Sequence, residues 1–208
     1  MKRIYLLIPV LFLTLTSCSK KAIYVSASIG KYPDVNRFWA LIQYVDYRTV
    51  EDAKVVLDSS TTTIKFDMTT GGYYKEGMMW LTYDSKHTIQ IEVEDYEDIF
   101  GTVEIPSAFS LQMENSIDEG DSLIIEWTHA DSMETSPDQW RMLVVEGQDT
   151  LCHLGFARTE NRYKIPSGII HNDIDVTLDA IRFGELSRVY SNSVFAGIVQ
   201  RKKTVTVN

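Results

Sequence analysis

Apolar and polar side chains alternate with a period of two along most of this chain. Ile89, Ile91 and Val93 are interleaved with Gln90, Glu92 and Glu94, and Ile174, Val176 and Leu178 with Asp175, Thr177 and Asp179. Successive strand residues point to opposite faces, so such runs predict strands with one face buried and the other solvated. Similar runs span Ala53 to Leu57, Ile64 to Met68, Leu123 to Trp127, Met142 to Glu146 and Thr204 to Val207. No long segment repeats apolar residues at the helical spacing, and turn clusters such as Asp58-Ser59-Ser60 and Gly71-Gly72 recur at strand-length intervals. The pattern predicts an all-β sandwich or barrel. Arg37 to Tyr47 is apolar on both parities, which predicts a central strand covered on each side.

The amino terminus departs from this rhythm. Met1-Lys2-Arg3 precedes an apolar run from Ile4 to Leu15 that contains Pro9 and ends at Thr16-Ser17-Cys18. About a dozen apolar residues fall short of the roughly 18 to 20 needed to cross a bilayer. The charged start, short apolar centre and small-residue end read as a secretory signal over residues 1–17. The Leu15-Thr16-Ser17-Cys18 box resembles a bacterial lipoprotein signal. That resemblance implies cleavage before Cys18, diacylation of its thiol and acylation of the new amino terminus, with residues 18–21 as a short lipidated tether. Ser19, by the same resemblance, permits transfer to the outer membrane of a Gram-negative cell. The expected location is the outer membrane or cell surface, with the periplasmic face open.

The remainder divides at Ile105-Pro106-Ser107, since proline cannot donate to a strand ladder. Two tandem β-sandwich domains are expected, over residues 22–106 and 107–208. The second resembles a fibronectin type III or immunoglobulin-like domain. Leu123-Ile124-Ile125-Glu126-Trp127 matches its B strand with an inward Trp, and Pro137 to Val145 its C strand. Val176 to Ala180 followed by Gly184 matches the F strand and FG turn, and Ser191 to Val207 a long G strand. Trp140 stands where that family usually has Tyr, and Ile174 where its tyrosine corner falls. The first domain resembles transthyretin-like or carboxypeptidase-regulatory-like sandwiches through Ala53 to Leu57, Phe66 to Tyr74 and Tyr83 to Val93, without their glycine-rich opening. Both families act chiefly as recognition or spacer modules, though a fold does not fix a function.

Charge and cysteine content narrow the chemistry. Cleavage after residue 17 takes Lys2 and Arg3 out of the 20 basic side chains and leaves all 29 acidic ones, moving the formal charge from −9 to −11. Such a surplus offers no electrostatic footprint for nucleic acid, and membrane attachment falls to the lipid on Cys18. Only Cys18 and Cys152 exist, so lipidation leaves one thiol. Cys152 precedes His153, but neighbours on a strand face opposite ways, and a buried structural cysteine is expected rather than a nucleophile. His87, His129, His153 and His171 show no metal-ligand spacing, and the acidic stretch Glu92 to Asp98 and the turn Asp118 to Asp121 do not match a calcium loop. No catalytic residue, metal or cofactor is called for. The surface candidate is Gly71 to Trp80, where Tyr73, Tyr74 and Trp80 could present rings to a sugar or an apolar partner. Against this, Met79-Trp80-Leu81 reads as a strand entering the core, which would turn Tyr73 and Trp80 inward. The expected function is a non-enzymatic binding or structural module of the cell envelope with a protein partner. Glycan binding is the alternative, and hydrolysis comes last.

Overall fold

The computed structural model describes residues 22–59, 63–129 and 136–208. The signal, Cys18 and the tether lie outside the described residues. Every regular element among those described is a strand, sixteen in all, numbered here in chain order. One nine-stranded sheet has the order β12 (Asp149–Ala157), β11 (Gln139–Glu146), β14 (Ile174–Phe183), β16 (Val194–Val207), β1 (Ile23–Lys31), β2 (Asn36–Tyr44), β5 (Gly72–Glu76) and β4 (Phe66–Asp67), with β9 (Ser116–Ile117) beside the end of β16. A four-stranded sheet, β15 (Glu185–Leu186), β7 (Ile99–Glu104), β6 (Lys86–Glu92) and β3 (Lys54–Leu57), packs on one half of it. A three-stranded sheet, β13 (Arg162–Ile165), β10 (Leu123–His129) and β8 (Phe109–Gln112), packs on the other. The protein is an all-β, two-sandwich chain.

In the second half the three-on-four layering puts the expected B strand (β10) opposite the expected C, F and G strands (β11, β14 and β16). Their inward parities meet: Leu123, Ile125 and Trp127 face Trp140, Met142, Val144, Val176 and Leu178, all buried. In the first half Ile23, Val25, Ala27 and Ile29 of β1 join Phe38, Ala40 and Ile42 of β2 against Val55, Leu57, Ile89, Ile91 and Val103. The alternating sequence forms strands here because each alternate residue finds an apolar layer to enter.

Strand β16 connects the halves. Its residues Val194 to Val199 run parallel to Ser26 to Lys31 of β1, while Ala196 to Val205 run antiparallel to β14. Its 14 residues are joined by steps of about 3.3 Å, so from first to last it spans roughly 43 Å. The segment between β14 and β16 does not close as a simple FG turn. It crosses to the first half, where β15 pairs with β7, Ser187 N–H donates to Phe100 O, and Tyr190 N–H donates to Ile23 O. Close approach at this seam requires glycine, since a Cβ on Gly197 would sit 2.3 Å from Glu104 O and one on Gly184 2.1 Å from Thr102 O. Arg182 of β14 completes the seam with an ion pair to Glu104, 2.8 Å. Between β7 and β8 the chain passes through Ile105, Pro106 and Ser107, all buried, and one apolar cluster extends through both sandwiches.

Three expectations are corrected. The strand over Arg37 to Tyr47 is central, between β1 and β5, but it is fully buried on one face only. Trp39 and Leu41 on the other parity are half-buried, because among the described residues no further sheet is stacked on the outer face of the long sheet at this strand. Cys152 is half-buried rather than buried, since β12 is an edge strand and a bulge between Val144 and Val145 lifts the register opposite it. Met79-Trp80-Leu81 is not a strand. It is a turn in which Met78 and Leu81 enter the core while Trp80 stays 47% exposed.

Candidate functional site

The three residues singled out from the sequence do not form one surface. Tyr73 and Tyr74 are neighbours on β5 and face opposite ways. Tyr73 is buried, with its ring edge-on to Phe66; its hydroxyl accepts from Ala53 N–H at 2.7 Å and donates to Val50 O at 2.9 Å. Tyr74 lies on the outer face beside Trp39 and donates to Glu76 Oε2 at 2.8 Å, a bond that raises the pKa of its phenol. Trp80 belongs to a separate cluster on the turn before β6.

Burial pushes the Tyr73 phenol from 10.0 up to about 12. Between those values an unfolded chain sheds the proton and the folded chain keeps it, so this contribution to stability is present below pH 10.0 and is lost as pH rises. Tyr73→Phe is expected to remove that alkaline slope. It should also cost about 1–3 kcal/mol at neutral pH, because Val50 O and Ala53 N–H lose their buried partner. Urea midpoints measured across the alkaline range check both effects.

The Trp80 turn covers a carboxylate, imidazole and hydroxyl in series, which the sequence did not reveal. Ser85 and His87 sit two residues apart at the start of β6 and so share a face. Asp58 follows β3 in a left-handed backbone conformation, φ 50°, and exchanges bonds with Thr88 through its own N–H and its Oδ1. Its Oδ2 lies 2.8 Å from His87 Nδ1, and His87 Nε2 lies 2.6 Å from Ser85 Oγ. The imidazole is buried under the Trp80 ring, with centroids 5.3 Å apart.

That order matches a hydrolytic relay, but the proton count opposes one. Ser85 Oγ also lies 2.6 Å from Thr82 O, which can only accept. The hydroxyl has one proton, and with that proton given to Thr82 O none is presented to His87 for abstraction. The cluster therefore ties the turn that follows β3 to the turn that precedes β6, beneath the Trp80 ring.

Other polar sites are committed in the same way. A shallow cleft of about 620 Å³ at the far end of β16 is lined by Glu146, Gln148, Asp149, His171 and Asp173. Glu146 Oε1 accepts the backbone N–H groups of His171 and Asn172, which holds its carboxyl below the usual range, and Asp173 accepts from Val207 N–H. Glu92 pairs with Lys54 and Glu97 with Arg188, so the acidic stretch does not converge. Among the described residues no group of three or more His, Cys, Asp or Glu is placed to hold a metal ion. Burial raises the pKa of the Cys152 thiol, which disfavours the thiolate a nucleophile needs, and His153 faces solvent away from it.

No family model matches the chain, and none of the curated proteins matches it. Among solved structures, a two-domain fibronectin type III segment of chicken tenascin is similar, at 14% identity and a TM-score of 0.29, covering 87% of this chain and 98% of that one. The strand order is the ground for the fold class.

The described surface also offers a sheet edge. β12 ends the nine-stranded sheet, is nine residues long, and carries neither proline nor lysine, the residues that commonly blunt a free edge. Among the described residues no strand pairs with the side of β12 away from β11, and only its last residue, Ala157, is tied back, to Glu160.

Proposed function

We propose that this chain is a lipid-anchored envelope lipoprotein whose fused sandwiches serve as a non-enzymatic binding or structural module, recognising a protein partner by strand addition. The open edge of β12 is the observation that carries the partner class, because main-chain pairing to a free edge is an established peptide-recognition mode. The direction of β16 supports the arrangement. It starts beside the amino-terminal part of β1 and runs parallel to it, so it carries the second sandwich, and β12 with it, away from the tether. Glycan binding is a second reading, favoured by the Trp39 and Tyr74 pair on the uncovered outer face.

Two experiments test the reading. Cys18→Ser is expected to release the protein from the membrane fraction completely, since two acyl chains suffice for stable anchoring and none would remain; retention on membranes would remove the anchor. A photo-reactive residue at exposed His153 on β12 is expected to cross-link a discrete protein in the native envelope. Absence of a cross-link together with glycan-array binding abolished by Trp39→Ala would transfer the site to the sheet face.

A further inference from the structure

The end of the first sandwich where the described chain enters carries an unusual concentration of tyrosine. Tyr24 on β1 stacks on Tyr47 with centroids 5.9 Å apart and an interplanar angle of 9°, and packs against Tyr190 at 4.5 Å. Tyr44 at the end of β2 meets Tyr96 at 5.7 Å. Five of the chain's 11 tyrosines therefore gather at this end. Tyr47 is 71% exposed, and Val45 and Tyr190 are exposed beside it. Tyr47 also takes a left-handed backbone conformation, φ 65°, in the turn after β2.

The local charges do not form an attractive field. Asp46 is paired with Arg48 at 2.7 Å and Glu97 with Arg188 at 3.7 Å, while Glu51 and Asp52 add exposed negative charge. An amphipathic aromatic patch without cationic surplus suits the headgroup layer of a bilayer, where tyrosine rings bury an apolar body and keep a wet hydroxyl. It does not depend on anionic lipid. The chain outside the described residues sets the distance. Four residues lie between Cys18 and Ile23, five steps with a reach of at most about 17 Å, and Tyr24 follows at once.

We propose that the Tyr24–Tyr47–Tyr190 end is a membrane-seating surface, resting in the interfacial layer of the bilayer that holds the lipid on Cys18 and fixing the protein end-on. This rests on the lipid-anchor reading given above. Two contacts hold the entering strand against the patch: Tyr190 N–H donates to Ile23 O, and Val25 N–H donates to Ser193 Oγ at 3.0 Å. The opposite end of β1 lies about 26 Å away. There the turn after β5 presents Met79, 91% exposed, as an internal reference.

The test is hydroxyl-radical footprinting by mass spectrometry on the full acylated chain in phosphatidylcholine vesicles, compared with the Cys18→Ser chain beside the same vesicles. Tyr47 and Tyr190 are expected to oxidise several-fold more slowly in the acylated chain, with Met79 unchanged. In the acylated chain, Tyr47→Ser combined with Tyr190→Ser is expected to restore oxidation at Tyr24. If Cys18 carries its lipid and the vesicles hold the chain, yet Tyr47 and Tyr190 oxidise at the free rate, the seating surface is refuted and the anchor stands. If mass spectrometry finds the Cys18 thiol unmodified in native material, the anchor fails and takes the seating surface with it. Equal protection of Met79 would mean the body lies flat, and protection that requires other envelope proteins would give the patch to a protein; either overturns the proposal.

Discussion

Trp140→Ala is expected to destabilise the first sandwich as well as the second. The side chain is fully buried, edge-on to Phe109 at 5.0 Å and tilted against Trp127 at 6.0 Å. Truncating a buried tryptophan costs about 3–5 kcal/mol through lost transfer energy and a residual cavity, against a total stability of about 5–15 kcal/mol for a domain. In a chain of this size that lowers the melting temperature by roughly 10 °C. The two halves should respond together because β16 is a component of both. It cannot leave β14 without disturbing its six paired residues on β1, and the β15 crossing binds the second half to β7. Calorimetry should therefore show one transition, shifted as a whole, with hydrogen exchange accelerated in β6 and β7 as much as in β10. Two transitions, with β6 and β7 protected as before, would show that the shared strand joins the sandwiches without coupling them.

That coupling was not legible in the sequence, although most of the strands were. β6, β10, β11 and β14 were readable because each lies over an apolar layer and solvates its other face, so burial wrote itself into the alternation. The pairing of β1 with β16 joins residues nearly the full chain apart, and parallel pairing leaves no local turn signal. Gly184 and Gly197 marked the seam but resembled ordinary turn or strand glycines. The apolar run Phe195 to Val199 shows why both parities can be hydrophobic. Phe195 and Val199 enter the main core, while Ala196 and Ile198 join Ile181 under Tyr32 on the outer face.

The candidate site divided along the same line. Tyr73 and Trp80 looked equivalent as aromatics flanking a glycine-bearing segment, yet strand β5 turns one inward and a turn leaves the other out. Asp58, Ser85 and His87 carried no recognisable spacing because the carboxylate comes from a turn 29 positions from the imidazole. The tyrosine-rich end was equally hidden. Its members come from the start of β1, the end of β2 and three loops, and only the fold brings them to one place.

Arg141→Met is expected to cost about 3 kcal/mol even though Arg141 itself is 44% exposed, because the loss falls on Asp179. That carboxylate is 5% exposed on the outer face of the long sheet, an uncommon position for an acid. It accepts from Arg141 Nη2 at 2.6 Å and Nε at 3.0 Å, and from Gln200 Nε2 at 2.7 Å. The three residues lie on β11, β14 and β16, so the network pins three adjacent strands where the second sandwich approaches the shared seam. Removing the guanidinium leaves a buried charge with a single donor, and the water that enters in place of Arg141 keeps the cost near the lower end for broken buried pairs. Removing the charge as well, in Arg141→Met with Asp179→Leu, is expected to recover most of that loss, since apolar replacement of a whole buried pair is often close to neutral. Urea denaturation of the two variants beside the native chain decides the matter. A double variant no more stable than Arg141→Met would mean that the guanidinium stabilises the sheet by packing over its outer face rather than by compensating Asp179.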